Sequence, residues 1–403
     1  MEMEEDGVGG GDLTRMAVLA LLGQHGPASR TAIARELDLS PATVTQTTRR
    51  LIQQGLVQAL EYVPSEGGRP AQLLGLVSTA GHAIGLKLAA DHLVLVDVQL
   101  DGQVASTRTE PYDARSPDAI RRLVASLKSF RSGERDRLLG VGVGVPGVVA
   151  RPDIGDVDAA VLGWSAMPLG RKLRAALNMP VLIENDVKAL AIAERLYGRG
   201  RSRRSFVVVT IGRGVGFASV SNGALQRGAQ GGAGELGHVV VDPEGPLCAC
   251  GRRGCLEAFV GAQGLVAAAI AAEVLRPGED LDRLTELADQ HDSAARQVYA
   301  RAARRLARAT APAIAALNPE VVIIAGEGTS SWRYWDGAFR SALAKLLPSW
   351  QQSMPVEVDE WEESSWARGA GAIVLATPFD RYALAGKQRL DVLARLHGAQ
   401  RAT

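Results

Sequence analysis

The chain has 403 residues, 46% of them hydrophobic, and its 45 Lys and Arg nearly balance 44 Asp and Glu, for a net charge of +1. That length exceeds one ordinary core, so two or three domains of a globular protein are expected. The charge balance excludes nucleic-acid binding driven by overall charge, and any DNA contact has to come from a local basic surface.

The opening stretch, MEMEEDGVGGGD, is acidic and then glycine-rich, the reverse of a signal peptide's basic start. Residues 1–11 read as disordered. No apolar run of about 18 residues occurs, so no membrane span is expected. Three clustered cysteines cannot form a paired disulfide framework, and they fit a reducing compartment, the cytoplasm.

From Leu13 to about Leu60 the pattern is helical. TRMAVLALLGQHG places Met16, Leu19, Leu21 and Leu22 on an apolar side and ends at Gly26. SRTAIARELDLS has Ser29 as its cap candidate, with Ile33, Leu37 and Leu39 inward. SPATVTQTTRRLIQQGLV then offers Ser40 as N-cap, Pro41 at the first helical position and Gly55 just past the end. Val44, Thr48, Leu51 and Ile52 form its apolar stripe. VQALEYVPSEGGRPAQLLGLV supplies two strand-like runs around a turn at Gly67–Gly68. Three helices followed by a β-hairpin is the order of a winged helix-turn-helix, assigned with its linker to residues 12–80.

The second helix of that pair is the candidate DNA reader. Its face away from the stripe offers Thr43, Thr45, Gln46, Thr47 and Arg50, groups able to donate and accept at base edges. Ser40 stands at its start, and Arg49 and Arg50 near its end are placed for phosphate contact. Arg69, between Gly68 and Pro70 at the wing tip, is placed to enter a minor groove. A merely solvated polar face is the alternative for each of these residues taken singly.

From Ala83 onward apolar strand-like runs alternate with helical stretches. The runs are AIGLKL, LVLVDV, LLGVGVGV, PVLIE, SFVVVTIG and EVVIIAG; the helical stretches include 117–130, 169–178, 187–198 and 294–317. This is α/β architecture, assigned to 81–378. Residues 379–403 read as a surface helix and tail.

All three cysteines fall in GGAGELGHVVVDPEGPLCACGRRGCLEAFVG, residues 231–261. His238, Cys248, Cys250 and Cys255 offer one imidazole and three thiolates, a closed tetrahedral zinc set with no position left for a catalytic water. Buried free cysteines are the alternative.

The same stretch resembles the signature of the ROK family (repressors, open reading frames and kinases), with E-x-G-H and C-x-C-G-x-x-G-C-x-E both met. The resemblance extends over about residues 13–375 and includes GGRP in the wing, GVGVPGVV at 142–149, LGW at 162–164 and END at 184–186. It implies a two-lobed actin-like fold of the sugar-kinase type behind the winged helix-turn-helix. It implies a hexose between the lobes, held by Asn185, Asp186, Glu235, His238 and Glu257, with His238 turning one ring nitrogen to zinc and the other to a sugar hydroxyl. Asp186 matches the position of the family's catalytic base.

The sequence departs from the family's kinases where phosphate is bound. In GLKLAADHL, Lys87 replaces an aspartate, Ala89 and Ala90 replace glycines, and Asp91 replaces a threonine. TIGRGVGFA at 210–218 keeps its glycines but carries Arg213, and AGEG at 325–328 only partly resembles an adenosine-binding turn. Val161, before Gly163–Trp164, stands where many members have asparagine, and Trp164 either walls the pocket or belongs to the core.

The expectation is a sugar-responsive transcription regulator and not an enzyme. Its expected partners are operator DNA and a sugar or sugar phosphate, and it is expected to be a homodimer or homotetramer. Its rivals are a sugar kinase with a DNA-binding appendage and a regulator answering to a protein partner.

Overall fold

The computed structural model describes residues 10–65, 68–131, 137–201, 203–362, 364–379 and 385–396. Residues up to Ser202 and from Trp366 onward form one compact unit, and Arg203–Ser365 form a second.

The first unit begins with helix α1 (Gly10–His25), which starts inside the segment expected to be disordered; residues 1–9 lie outside the described ones. Strand β1 (Ala28–Ser29) leads into α2 (Arg30–Leu37), whose cap Ser29 accepts from the Ala32 N–H. Helix α3 (Pro41–Gln53) follows, with Ser40 Oγ accepting from the Thr43 N–H at 3.1 Å. Pro41 sits in the first turn, where its missing N–H costs nothing. Gly55, with φ +68°, turns the chain out of the helix. Strands β2 (Val57–Ser65) and β3 (Gly68–Leu76) form the antiparallel wing, and β1 joins β3 as a third strand. Val44, Thr48 and Leu51 of α3 are buried, as are Val18, Leu19 and Ile33, and α1, α2 and α3 pack against one another.

Strands β4 (His82–Leu88), β5 (His92–Gln99) and β6 (Val104–Pro111) make an antiparallel meander. Helix α4 (Ala119–Arg131) crosses to β7 (Leu138–Val145), parallel to β4. Three short strands, β8 (Val148–Val149), β9 (Val157–Ala159) and β10 (Trp164–Met167), precede α5 (Leu169–Leu177). Strand β11 (Val181–Asn185) lies parallel to β7 and runs into α6 (Asp186–Tyr197). The sheet order is β11-β7-β4-β5-β6. Strands β4 and β7 are buried almost throughout, so they read as continuous apolar runs. The edge strand β6 (VASTRTEP) escaped the sequence pattern because most of its residues are polar and exposed.

The second unit repeats this plan. Strands β12 (Phe206–Ile211), β13 (Val215–Ser221) and β14 (Ala224–Leu225) form a meander. Helices α7 (Glu257–Val260), α8 (Ala262–Ala271), α9 (Leu281–Asp289) and α10 (Ser293–Leu317) then lead to β15 (Val321–Ala325), parallel to β12. Helix α11 (Asp336–Leu346) precedes β16 (Val356–Val358), parallel to β15. The order β14-β13-β12-β15-β16 has the same connectivity as the first sheet. This doubled α/β unit is the actin-like architecture expected. Its core joins Val207, Val209 and Ile324 of the sheet to Leu306 and Ile314 of α10 and to Trp335 and Phe339.

The chain returns to the first unit as α12 (Ser365–Leu375) and α13 (Arg389–Leu396). A Cβ on Gly142 would fall 1.9 Å from the Ala370 carbonyl oxygen, so only glycine lets α12 lie this close to the sheet. The C-terminal helix lies on the surface with one face buried: Leu390 is 59% exposed. Val392 and Leu396, one turn apart, are 0% and 1% exposed, and α13 packs on β7. Residues 380–384 and 397–403 of the expected tail lie outside the described ones. Among the described residues no helix is long and apolar enough to cross a membrane.

Candidate metal, effector and DNA-binding sites

The cysteine loop belongs to the second unit. Isolated bridges pair Val240 with Cys255 and Leu247 with Arg253, folding the loop back on itself. Gly254 makes the fold possible: its φ is +69°, and a Cβ there would fall 1.4 Å from the Asp242 carbonyl oxygen. One ligand atom each from His238, Cys248, Cys250 and Cys255 lies within 4.8 Å of the others. Cys248 Sγ is 3.6 Å from His238 Nδ1, and Cys250 Sγ is 3.6 Å from Cys255 Sγ. Tetrahedral zinc with bonds of about 2.3 Å to sulfur sets ligand–ligand edges of roughly 3.8 Å. The four residues therefore form a cluster that can hold a metal ion. The thiols differ in acidity. Hydrogen bonds from the Arg252 backbone and side chain hold Cys250 down to about 6, and burial pushes Cys255 up to about 11.

Glu235 and Glu257 stand on either side of this cluster in the same unit. His238 Nδ1 faces Cys248, while Nε2 is 4.0 Å from Glu235 Oε2, beyond a hydrogen bond. Glu257 opens α7, and its Oε2 accepts from the Val215 N–H at 3.1 Å. The metal cluster and both carboxylates are thus held in one loop assembly against β13.

Asn185 and Asp186 lie in the first unit, at the junction of β11 and α6. Asn185 is the N-cap of α6: Oδ1 accepts from the Lys188 N–H at 3.1 Å, and Nδ2 donates to the Gly147 carbonyl at 3.1 Å. Asp186 begins the helix, where a carboxylate suits the dipole. Lys87 Nζ donates to Asp186 Oδ2 in a buried ion pair, and the ammonium lies 5.1 Å from the Trp366 ring centroid. Sequence reasoning singled out both residues without connecting them. Trp366, which completes this environment, carried no motif.

The stretch after Lys87 is a closed turn. The Ala89 N–H donates to the His92 carbonyl, while the Ala90 and Asp91 carbonyls accept from Ala114 and Tyr112. Asp91 pairs with His92 at 2.8 Å. The 210–218 segment is a β-hairpin: the end of β12, a turn at 212–214 and the start of β13. Trp164 is 7% exposed and its Nε1–H donates to the Ala114 carbonyl at 3.0 Å, which makes it core; Val161 is exposed.

On α3, Ser40, Thr45, Gln46, Arg49 and Arg50 are exposed and Thr43 is half-buried. Thr45 Oγ1 donates to the Pro41 carbonyl at 2.7 Å, leaving its lone pairs outward. Thr47 is a correction. It is 7% exposed, because Val44, Thr47, Thr48 and Leu51 follow the i, i+3, i+4, i+7 spacing of the packed face. The Arg69 side chain and Gly67 lie outside the described residues.

Helix α6 joins two of these regions within the first unit. Asn185 and Asp186 stand at its start, and its 12 residues span about 18 Å. Just beyond its end, Arg201 Nη2 donates to the Gly23 carbonyl of α1 at 3.1 Å. Arg137 Nη1 reaches the Gln54 carbonyl, past the end of α3, at 3.4 Å.

Sequence comparison matches residues 83–377 to the ROK family and residues 12–60 to the MarR family. The DNA-binding transcriptional dual regulator NagC of Escherichia coli K12 is 30% identical over 384 residues, covering 90% of this chain and 92% of its own. Glucokinase of Thermotoga maritima is 31% identical over 313 residues, covering 72% of this chain and 96% of its own. A solved ROK family transcriptional regulator, a homolog of the E. coli MLC protein, superposes with a TM-score of 0.79 at 24% identity, over 96% of this chain and 99% of that one.

Proposed function

The chain belongs to the ROK family, and from that premise we propose that it is a sugar-responsive DNA-binding transcriptional regulator, a repressor of carbohydrate uptake or metabolism genes. The observation that carries this reading is one chain holding both a winged helix-turn-helix and a ROK domain, aligned over 90% of its length with a DNA-binding transcriptional regulator. Ser40, Thr43, Thr45, Gln46, Arg49 and Arg50 read the operator, and Arg69 serves the wing. The sugar-binding candidates are Asn185 and Asp186 in the first unit and Glu235, His238 and Glu257 in the second. Carboxylates and an amide are the acceptors and donors that hydroxyls require.

The chain is not a kinase in this reading. Asp186, at the position of the base, is committed to Lys87, a cation in place of a metal-organising aspartate. Ala89 and Ala90 sit in a turn closed by backbone hydrogen bonds. The similarity to a glucokinase makes phosphoryl transfer the rival, and an ATP-coupled assay over a hexose panel decides it.

His238, Cys248, Cys250 and Cys255 hold a structural zinc, which when bound fixes the loop that presents Glu235, His238 and Glu257. Effector binding is transmitted through α6. A hydroxyl on Asn185 or Asp186 shifts the start of that helix, and Arg201 beyond its end carries the shift to α1 of the winged helix. The regulator acts as a homodimer or homotetramer in the cytoplasm, where its three thiols stay reduced. Operator affinity measured with and without sugar tests the proposal.

A further inference from the structure

We infer that the effector is an uncharged sugar and that phosphorylated sugars and nucleotides are rejected. The inference rests on the sugar-binding reading above and narrows its ligand class. A phosphoryl group is held by a desolvated cation or by converging backbone N–H groups of a glycine turn. Among the described residues a cation and a glycine turn stand beside the candidate effector residues, and both are engaged within the protein: Asp186 holds the cation, and Glu257, the Thr210 hydroxyl and the Gly214 carbonyl take N–H groups of the turn.

In the first unit the cation is Lys87. Its ammonium donates to Asp186, the two side chains are only 11% and 12% exposed, and the Trp366 ring lies against it. An incoming phosphate would have to displace Asp186 and would meet its charge at short range. In the second unit the glycine turn is 212–215, between β12 and β13. The Gly212 N–H closes on the Gly214 carbonyl at 3.0 Å, and the Val215 N–H is taken by Glu257. A Cβ on Gly212 would fall 2.0 Å from Oε2 of Glu327, so that carboxylate lies directly against the glycine. The Gly216 N–H donates to Thr210 Oγ1 at 3.1 Å. Arg213, at the apex, is exposed and already engaged.

Asp186, Glu235 and Glu257 are acceptors only when ionised, so they match hydroxyl donors and repel a phosphate dianion. The same turn chemistry that blocks a nucleotide thus selects the effector.

The test is calorimetric titration of the full chain, zinc-loaded, with matched pairs. These are glucose and glucose 6-phosphate, N-acetylglucosamine and its 6-phosphate, and xylose and xylose 5-phosphate, with Mg–ATP alongside. The expected result is that one free sugar binds and its phosphate binds at least tenfold more weakly, with no heat from Mg–ATP. A phosphorylated sugar binding as tightly as its parent or more so, or a saturable Mg–ATP titration, would overturn the inference and leave the sugar-binding reading standing. If no sugar of either kind binds, the sugar-binding reading itself fails, and this inference with it.

Discussion

Lys87 and Asp186, 99 positions apart in the chain, form a buried ion pair at the start of α6. One comes from β4 and the other from the first residue of α6, directly after β11, so the pair exists only once the parallel sheet has assembled. It puts a cation on Asp186, the carboxylate at the position that the family resemblance gives to a catalytic base.

Breaking the pair from one side leaves a buried charge without its partner, which typically costs about 3–5 kcal/mol. Lys87→Met is therefore expected to destabilise the protein by about 3 kcal/mol. Lys87→Met/Asp186→Leu should recover much of that loss, since both charges are gone. Urea denaturation of the two singles and the double measures the coupling; additive losses would mean that the two side chains do not interact.

The metal cluster predicts one zinc per chain, lost on Cys248→Ser or Cys255→Ser. Removing the metal with a chelator should lower the melting temperature and abolish the response to sugar. Operator binding without sugar should persist, because the winged helix lies in the other unit. Metal analysis, thermal melting and an operator shift assay check these three outcomes on one preparation.

On the recognition helix, exposure separates reading from packing. Gln46→Ala or Arg50→Ala should weaken operator binding by about 1–3 kcal/mol where a base edge is contacted. Arg49→Ala should instead lower affinity for all sequences and reduce the salt slope by roughly one. Thr47→Ala should alter stability and leave operator preference unchanged, since Thr47 is packed inward. Anisotropy titrations at several salt concentrations distinguish the three.

The proposed path through α6 assigns Arg201 the role of transmitter. Arg201→Ala removes the hydrogen bond to Gly23 and should leave both sugar affinity and sugar-free operator affinity within about twofold of the parent. The change in operator affinity on adding sugar should shrink severalfold. A full sugar response in this variant would rule α6 out as the route.

Much of this was legible in the sequence because the signals were local. Ser29 and Ser40 mark helix starts through hydrogen bonds made within three residues, and Pro41 marks one by its position in the first turn. The buried strands β4, β7, β12 and β15 announce themselves as apolar runs. The four metal-cluster residues lie within one short loop, so spacing alone groups them. What was missed depends on assembly. Thr47 has a hydroxyl suited to either face, and only the neighbouring helices decide that it is packed. Strand β6 is polar because it is an edge, and the hairpin at 210–218 resembles a loop until β13 pairs with β12. Glu327 reaches Gly212 only after β15 has joined β12, which no spacing rule reports.

The most direct test of the central claim is the affinity of the full chain for its selected operator, measured by fluorescence anisotropy with and without each free sugar, in the parent protein and in Asp186→Asn. One sugar should change the parent's operator affinity at least tenfold. Asp186→Asn should bind the operator as the parent does in the absence of sugar and show no such change. Operator affinity indifferent to every sugar, or ATP-dependent phosphorylation of a sugar that Asp186→Asn abolishes, would contradict the account.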